Sequence, residues 1–246
     1  MQNATDIALS RLMAQGQVMD VLANNLANAN TPGFKAGRVL FGAWLSRQGA
    51  GSLPPGDNPI NYTEMRATYR EDRAGALQQT GNPLDLAITG AGYFTVQTPR
   101  GVRVTRAGRF SLLPDGTIAD FAGNKLLSDS GQPMQIAPGE TGITVAGDGT
   151  VSTRNGVLGR IGVVTLNAPN GAKAEGNRLL DPGASGTTPV TSPQLVQGAV
   201  EGSNVNPILE TTRMMTLLRE FQFVTAFEQA ESDRMANAIQ KITQPA

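Results

Sequence analysis

The sequence predicts a mainly β central domain, an antiparallel sandwich or barrel, flanked by N- and C-terminal α-helices that pair in a coiled-coil-like domain. Two observations lead to this fold class. Near both ends of the chain, apolar residues recur every three or four positions, the period of an amphipathic helix. Between them the pattern shortens to brief β-favouring runs cut by turns, and 29 glycines and 15 prolines in 246 residues supply the turn chemistry of a many-stranded domain. The expected division is a terminal helical domain of residues 1–36 plus 203–246, an extended connector over 37–80, and a β-rich domain over 81–202.

The first helix is expected from about Asp6 to Ala29, with Leu9, Leu12, Gly16, Met19, Ala23 and Leu26 on one heptad-like face. At 1.5 Å per residue it would be about 35 Å long. Gly16 permits a close helix approach while weakening the helix locally. Asn28, Asn30 and the run Thr31-Pro32-Gly33-Phe34 end it. Proline cannot continue a helix, and Pro-Gly at the centre of a turn favours type II geometry.

The connector shows weak periodicity, and its segment GAGSLPPGDNP, Gly49 to Pro59, is loop-like in composition. Beyond Gly81, Leu84, Leu86 and Ile88 alternate. Tyr93–Val96 and Val102–Thr105 form a hairpin pattern around Pro99–Gly101, and Val163–Leu166 reads as a further strand. Asp115-Gly116, Gly123-Asn124 and Gly147-Asp148-Gly149 punctuate the region.

The last helix has the clearest start. Asn206 is a good N-cap, and Pro207 suits the first helical position. No proline or glycine interrupts the pattern up to about Ile242. Leu217, Phe221 and Val224 form a stripe that continues through Met235, Ala238 and Ile242, and Leu218, Phe223 and Phe227 broaden it. So wide an apolar surface needs more than one neighbour.

Composition narrows the chemistry. The chain has no cysteine and no histidine, so disulfides, Cys/His zinc sites and His-dependent nucleophile systems are excluded. Twenty basic residues balance twenty acidic ones, and no dense basic cluster favours nucleic acid. No apolar run approaches the roughly 20 residues of a membrane span. The N-terminal stretch lacks a basic leader followed by an apolar core, so export would need a route without a cleaved signal. Gly90-Ala91-Gly92 lacks the remainder of a phosphate-binding loop and reads as a tight turn. Asp148-Gly149-Thr150 lacks a calcium ladder and reads as a hairpin turn. Glu228, Glu231 and Asp233 read as a solvated helix face, with Arg234 spaced to pair with Glu231. No catalytic, metal or cofactor site is expected.

Four blocks resemble the flagellar rod, hook and hook-associated protein family. They are MDVLANNLANANTPGFKAGRVLF (Met19–Phe41), LDLAITGAGYF (Leu84–Phe94), TRAGRF (Thr105–Phe110) and VQGAVEGSNVNPILE (Val196–Glu210). Within that family the length, the opening QNATDIALSRLMAQG and the segment NPILETTRMMTLLREFQ are most similar to the proximal-rod members. The resemblance implies a non-enzymatic structural subunit that polymerises into a tubular drive shaft and transmits torque. It implies an inner domain of paired helices lining an axial channel, with the β-domain outside. Implied partners are other proximal and distal rod proteins, in a homo- and hetero-oligomeric helical assembly, and the flagellar type III export apparatus. The implied location is the basal-body rod crossing the periplasm, reached without a cleaved signal peptide. Two alternatives stay open: a distal-rod or hook subunit, and, in another class, a soluble cell-wall-binding β-domain, including a two-carboxylate lytic enzyme.

On this reading Leu12, Met19 and Leu26 pack against Leu218, Phe221 and Val224. Asn24, Asn25 and Asn28 serve in capping or at subunit interfaces. Thr31, Pro32, Gly33 and Phe34 set where the chain leaves the first helix, and Glu201, Ser203 and Asn204 set how it enters the last.

Overall fold

A computed structural model describes residues 2–46, 60–137, 139–140, 142–176 and 178–243. The Gly49–Pro59 segment and the side chain of Ile242 lie outside the described residues. The protein is mostly β, with a sandwich-like centre and one helix at each end. The chain forms two compact units: residues 1–27, 37–69 and 206–246 in one, and residues 28–36 and 70–205 in the other.

In the first unit, α1 spans Gln2–Ala27 and α2 spans Pro207–Thr243. No proline or glycine precedes Asp6, so nothing prevents α1 from starting four residues earlier than its periodicity suggests. At α2 the expected cap is present: Asn206 Oδ1 accepts the backbone N–H groups of Ile208 (3.1 Å) and Leu209 (3.2 Å). Asn25 bonds Glu210 while Gln15 bonds Glu220, so the helices run antiparallel.

The stretch expected as an extended connector holds two strands, β1 (Gly37–Ser46) and β2 (Ile60–Arg70), which pair in a two-stranded sheet. Valine, tyrosine, threonine and tryptophan within them favour strand geometry, and this local preference outweighs the weak periodicity. Residues 28–36, expected with the helices, cluster with the β unit instead. Their backbone is bound there: Gly33 N–H donates to Glu201 O (2.8 Å), and Ala36 O accepts from Glu71 N–H (2.9 Å).

The second unit is built around the strand Tyr93–Thr98, which pairs antiparallel with Gly101–Thr105, Lys125–Leu126 and Val163–Leu166. These belong to a nine-stranded sheet. A three-stranded sheet (Thr144–Val145, Thr150–Thr153, Gly156–Arg160) and two short pairs complete the unit. One pair joins Leu86–Ile88 to Leu195–Gln197, the other Leu77–Gln79 to Ala199–Glu201. Side chains from several of these sheets share one core, in which Phe94 and Phe110 meet edge to face with ring centroids 5.3 Å apart. Leu86, Ala87 and Ile88 are all buried, so this short strand is covered on both faces and the alternation read from Leu84 onward does not mark a half-exposed strand.

Turns fall at the glycines. Gly33 has φ +73° and follows Pro32, and Phe34 N–H closes the turn on Thr31 O at 3.2 Å. This is the type II geometry expected of Pro-Gly. Asp148 accepts both the N–H and the hydroxyl of Thr150 at 3.0 Å, shaping the hairpin turn between Thr144–Val145 and Thr150–Thr153.

Candidate assembly interface and buried charge clusters

The facing seam of the helix pair follows a heptad. On α1, Ala8, Gln15 and Leu22 are buried, while Leu12, Met19 and Leu26 are half-buried, so the positions advance by four and three alternately. The other half of the stripe lies one residue earlier than the expected Leu9, Gly16 and Ala23. Leu9 is exposed and so is Ala23. On α2, Glu210 and Val224 are buried and Met214 and Leu217 half-buried on the same heptad, which also contains Phe221.

Beyond this seam α2 remains apolar on other sides. Ile208, Met215, Leu218, Phe223 and Phe227 are exposed, Phe223 by 74%. At 100° per residue, Phe223 lies about 100° round the helix from Val224 and about 120° from Leu217, on a flank away from that line. Thus Val224 is buried, whereas Leu218 and Phe221, expected to pack beside it, keep 45% and 39% exposure.

Asn25 organises the end of the helix pair. Its amide pairs with both backbone groups of Gly37: Oδ1 accepts the N–H at 2.8 Å, and Nδ2 donates to the carbonyl at 2.9 Å. Nδ2 also donates to Glu210 Oε2 at 3.2 Å. Glu210 is fully buried, and its Oε1 accepts from Arg38 and Arg213, each at 2.8 Å. Burial pushes the Glu210 carboxyl up, but hydrogen bonds from Arg38 and Asn25 outweigh it and hold the group below its usual range.

The β unit has its own buried carboxylate, Glu201, with a side chain 1% exposed. Oε1 accepts from Lys35 Nζ and from Gly75 N–H (2.9 Å), and Oε2 accepts from Arg106 Nε. Lys35 also donates to Arg73 O at 2.8 Å. Arg106 spends its remaining donors on three carbonyls of one turn, Ile88 (2.8 Å), Gly90 (2.7 Å) and Gly92. The Gly90-Ala91-Gly92 turn therefore cradles a guanidinium with carbonyl oxygens, the opposite polarity to a phosphate loop. Burial raises the Glu201 carboxyl, and the Lys35 and Arg106 hydrogen bonds overcome it, so its pKa lies below the ordinary value.

The other residues singled out in the sequence have separate places. Asn24 is exposed on α1. Asn28 O accepts Thr31 N–H at 3.1 Å, and Thr31 Oγ1 donates to Asn28 Oδ1 at 3.3 Å, so this pair shapes the turn. Pro32 and Phe34 are half-buried. Asn204 Oδ1 accepts Ala36 N–H at 2.7 Å, and its Nδ2 donates to Glu71 O and Arg73 O. Ser203 Oγ accepts Val205 N–H at 3.2 Å. Arg234 donates to Glu231 at 2.7 Å, the spacing read from sequence. Among the described residues no group of three or more His, Cys, Asp or Glu side chains is placed to hold a metal. No helix there is long and apolar enough to cross a membrane.

Sequence reading did not single out Lys35, Arg38, Arg106 or Glu210. Their signal was a charged residue set among small and apolar ones inside the four blocks. All four blocks meet around the Glu201–Arg106 pair: Lys35 from the first and Arg106 from the third donate to Glu201 of the fourth, and Arg106 also donates to the carbonyls of Ile88, Gly90 and Gly92 from the second.

Residues 6–35 match a family model described as flagella basal body rod protein. Residues 87–153 match the flagellar hook protein FlgE/F/G D1 domain, and 196–241 the flagellar basal body rod FlgEFG protein C-terminal model. The flagellar basal-body rod protein FlgF of Mesorhizobium japonicum is 32% identical over 98% of this chain and 98% of its own length. FlgF of Caulobacter vibrioides is 33% identical with the same coverage. FlgG of Bacillus subtilis is 34% identical over 83% of this chain and 85% of its own. The chain belongs to the flagellar basal-body rod protein family.

Proposed function

We propose that the protein is a structural, non-enzymatic subunit of the proximal rod of the bacterial flagellum, polymerising through its terminal helices into the tube that transmits torque. The observation that carries this reading is the circumference of α2. One line faces α1, yet Leu218, Phe223 and Phe227 stay exposed on other sides. A helix apolar on several sides is stable only with several neighbours, and copies of the same helix pair related by a non-closing operation supply them as a helical filament. Leu12, Met19 and Leu26 then hold the intramolecular seam with Leu217 and Val224, while Leu218, Phe223 and Phe227 face neighbouring subunits. The partners are other rod proteins and the type III export apparatus. The rod crosses the periplasm, and the chain reaches it without a cleaved signal peptide.

Leu218→Asp tests this. Leu218 is 45% exposed, so the change should alter stability by no more than about 0.5 kcal/mol while removing the chain from purified basal bodies and abolishing swimming. Normal motility in the variant would contradict helix-mediated assembly. The full-length similarity to FlgG-named relatives supports a second reading, a distal-rod subunit. Stoichiometry per basal body separates a rod subunit from a hook subunit, which should be far more abundant.

A further inference from the structure

We infer that Lys35, Glu201 and Arg106 form a latch in the β unit, which closes as one piece and ties the segment following α1 and the segment preceding α2 to the same point. The segments are fastened by their backbones as well as by the ions. Gly33 N–H donates to Glu201 O, and Gly202 N–H donates to Ala76 O, both at 2.8 Å. Gly75 N–H donates to Glu201 Oε1 at 2.9 Å, and Ala36 N–H to Asn204 Oδ1 at 2.7 Å. Each of these four bonds ends on residues 201–204 or starts there. Removing the Glu201 charge would release them together.

The charge count makes the latch all-or-none. Two cations, both at least nine-tenths buried, share one carboxylate. A buried cation without its partner is strongly destabilising. Lys35 and Arg106 therefore cannot bury before Glu201 arrives, from 166 residues further along the chain for Lys35 and 95 for Arg106. Until then residues 33–36 have no stable seat on the β unit, and closure is a late event in folding. The sheet core contributes no atom to these four bonds, so it can hold while the latch opens. Local opening of such a contiguous set is the behaviour of a cooperative subunit of the fold. The latch is independent of the rod reading: it concerns folding of the single chain.

Native-state hydrogen exchange on the full-length protein tests it. The amides of Gly33, Ala36, Gly75 and Gly202 should exchange with one common protection, lower than that of Thr95 and Leu127 in the sheet core. Glu201→Gln should speed those four by about 100-fold or more, while their protection stays below that of Thr95 and Leu127. Lys35→Met should have a smaller effect on the four, since it leaves one cation facing one anion. Should Glu201→Gln fail to fold, Lys35→Met gives the same comparison of four amides against two. Unchanged exchange at the four amides in the variant, or protection of the four equal to that of Thr95 and Leu127 in the unaltered protein, would overturn the latch.

Discussion

Glu201 and Glu210 hold ionised carboxylates at positions with 1% side-chain exposure, and each is surrounded by two cations and at least one further hydrogen-bond donor. Such a group is stable only while its partners are in place. Glu201→Gln should cost about 3 kcal/mol or more, read as a lower thermal midpoint. Both carboxyls have folded pKa values below the ordinary 4.5. Their contribution is complete above that value and is lost as pH falls through the lowered folded value. Stability should hold from neutrality down to about pH 5 and fall below about pH 4.5, with a shallower acid limb in Glu201→Gln. An acid limb of unchanged steepness in that variant would remove Glu201 as its cause. Asn25→Ala leaves the Gly37 backbone groups without their partner amide and Glu210 without a donor, an expected loss of about 2 kcal/mol, checked by denaturant unfolding.

Among the elements, α2 was legible almost to the residue. Asn206-Pro207 is a start signal, and no breaker follows for the length of the helix. The Thr31–Phe34 turn was equally legible, because Pro-Gly dictates its own geometry. Gly33→Ala tests it. A Cβ there would lie 2.5 Å from Ala107 N and the Arg106 carbonyl carbon, on a backbone with φ +73°. The expected cost is about 2 kcal/mol or more, from clash and from left-handed strain together. The α1 seam was only half legible. Leu12, Met19 and Leu26 fit a heptad with either Leu9, Gly16 and Ala23 or Ala8, Gln15 and Leu22, and a small residue and a glutamine at buried positions hide the true line. β1 and β2 were missed as strands because their pairing joins stretches separated in sequence by a Gly/Pro-rich segment of unpromising composition.

For the whole molecule, the order helix, β-rich middle, helix was visible in the change of period. The meeting of the four blocks around the Glu201–Arg106 pair was not. Hydrogen bonds spanning 166 and 95 residues leave no trace in local pattern, and a lysine in PGFK or an arginine in TRAGRF looks like a surface charge until its counter-ion is located. On the proposed rod reading the exposed apolar flanks of α2 belong to assembly, and in the single chain they are surface left uncovered. Mass spectrometry of detergent-purified basal bodies, stripped of filament and hook, tests the rod assignment most directly. The account predicts this chain there in a few copies per basal body; intact rods that lack it, with the chain confined to the soluble fraction, would contradict it.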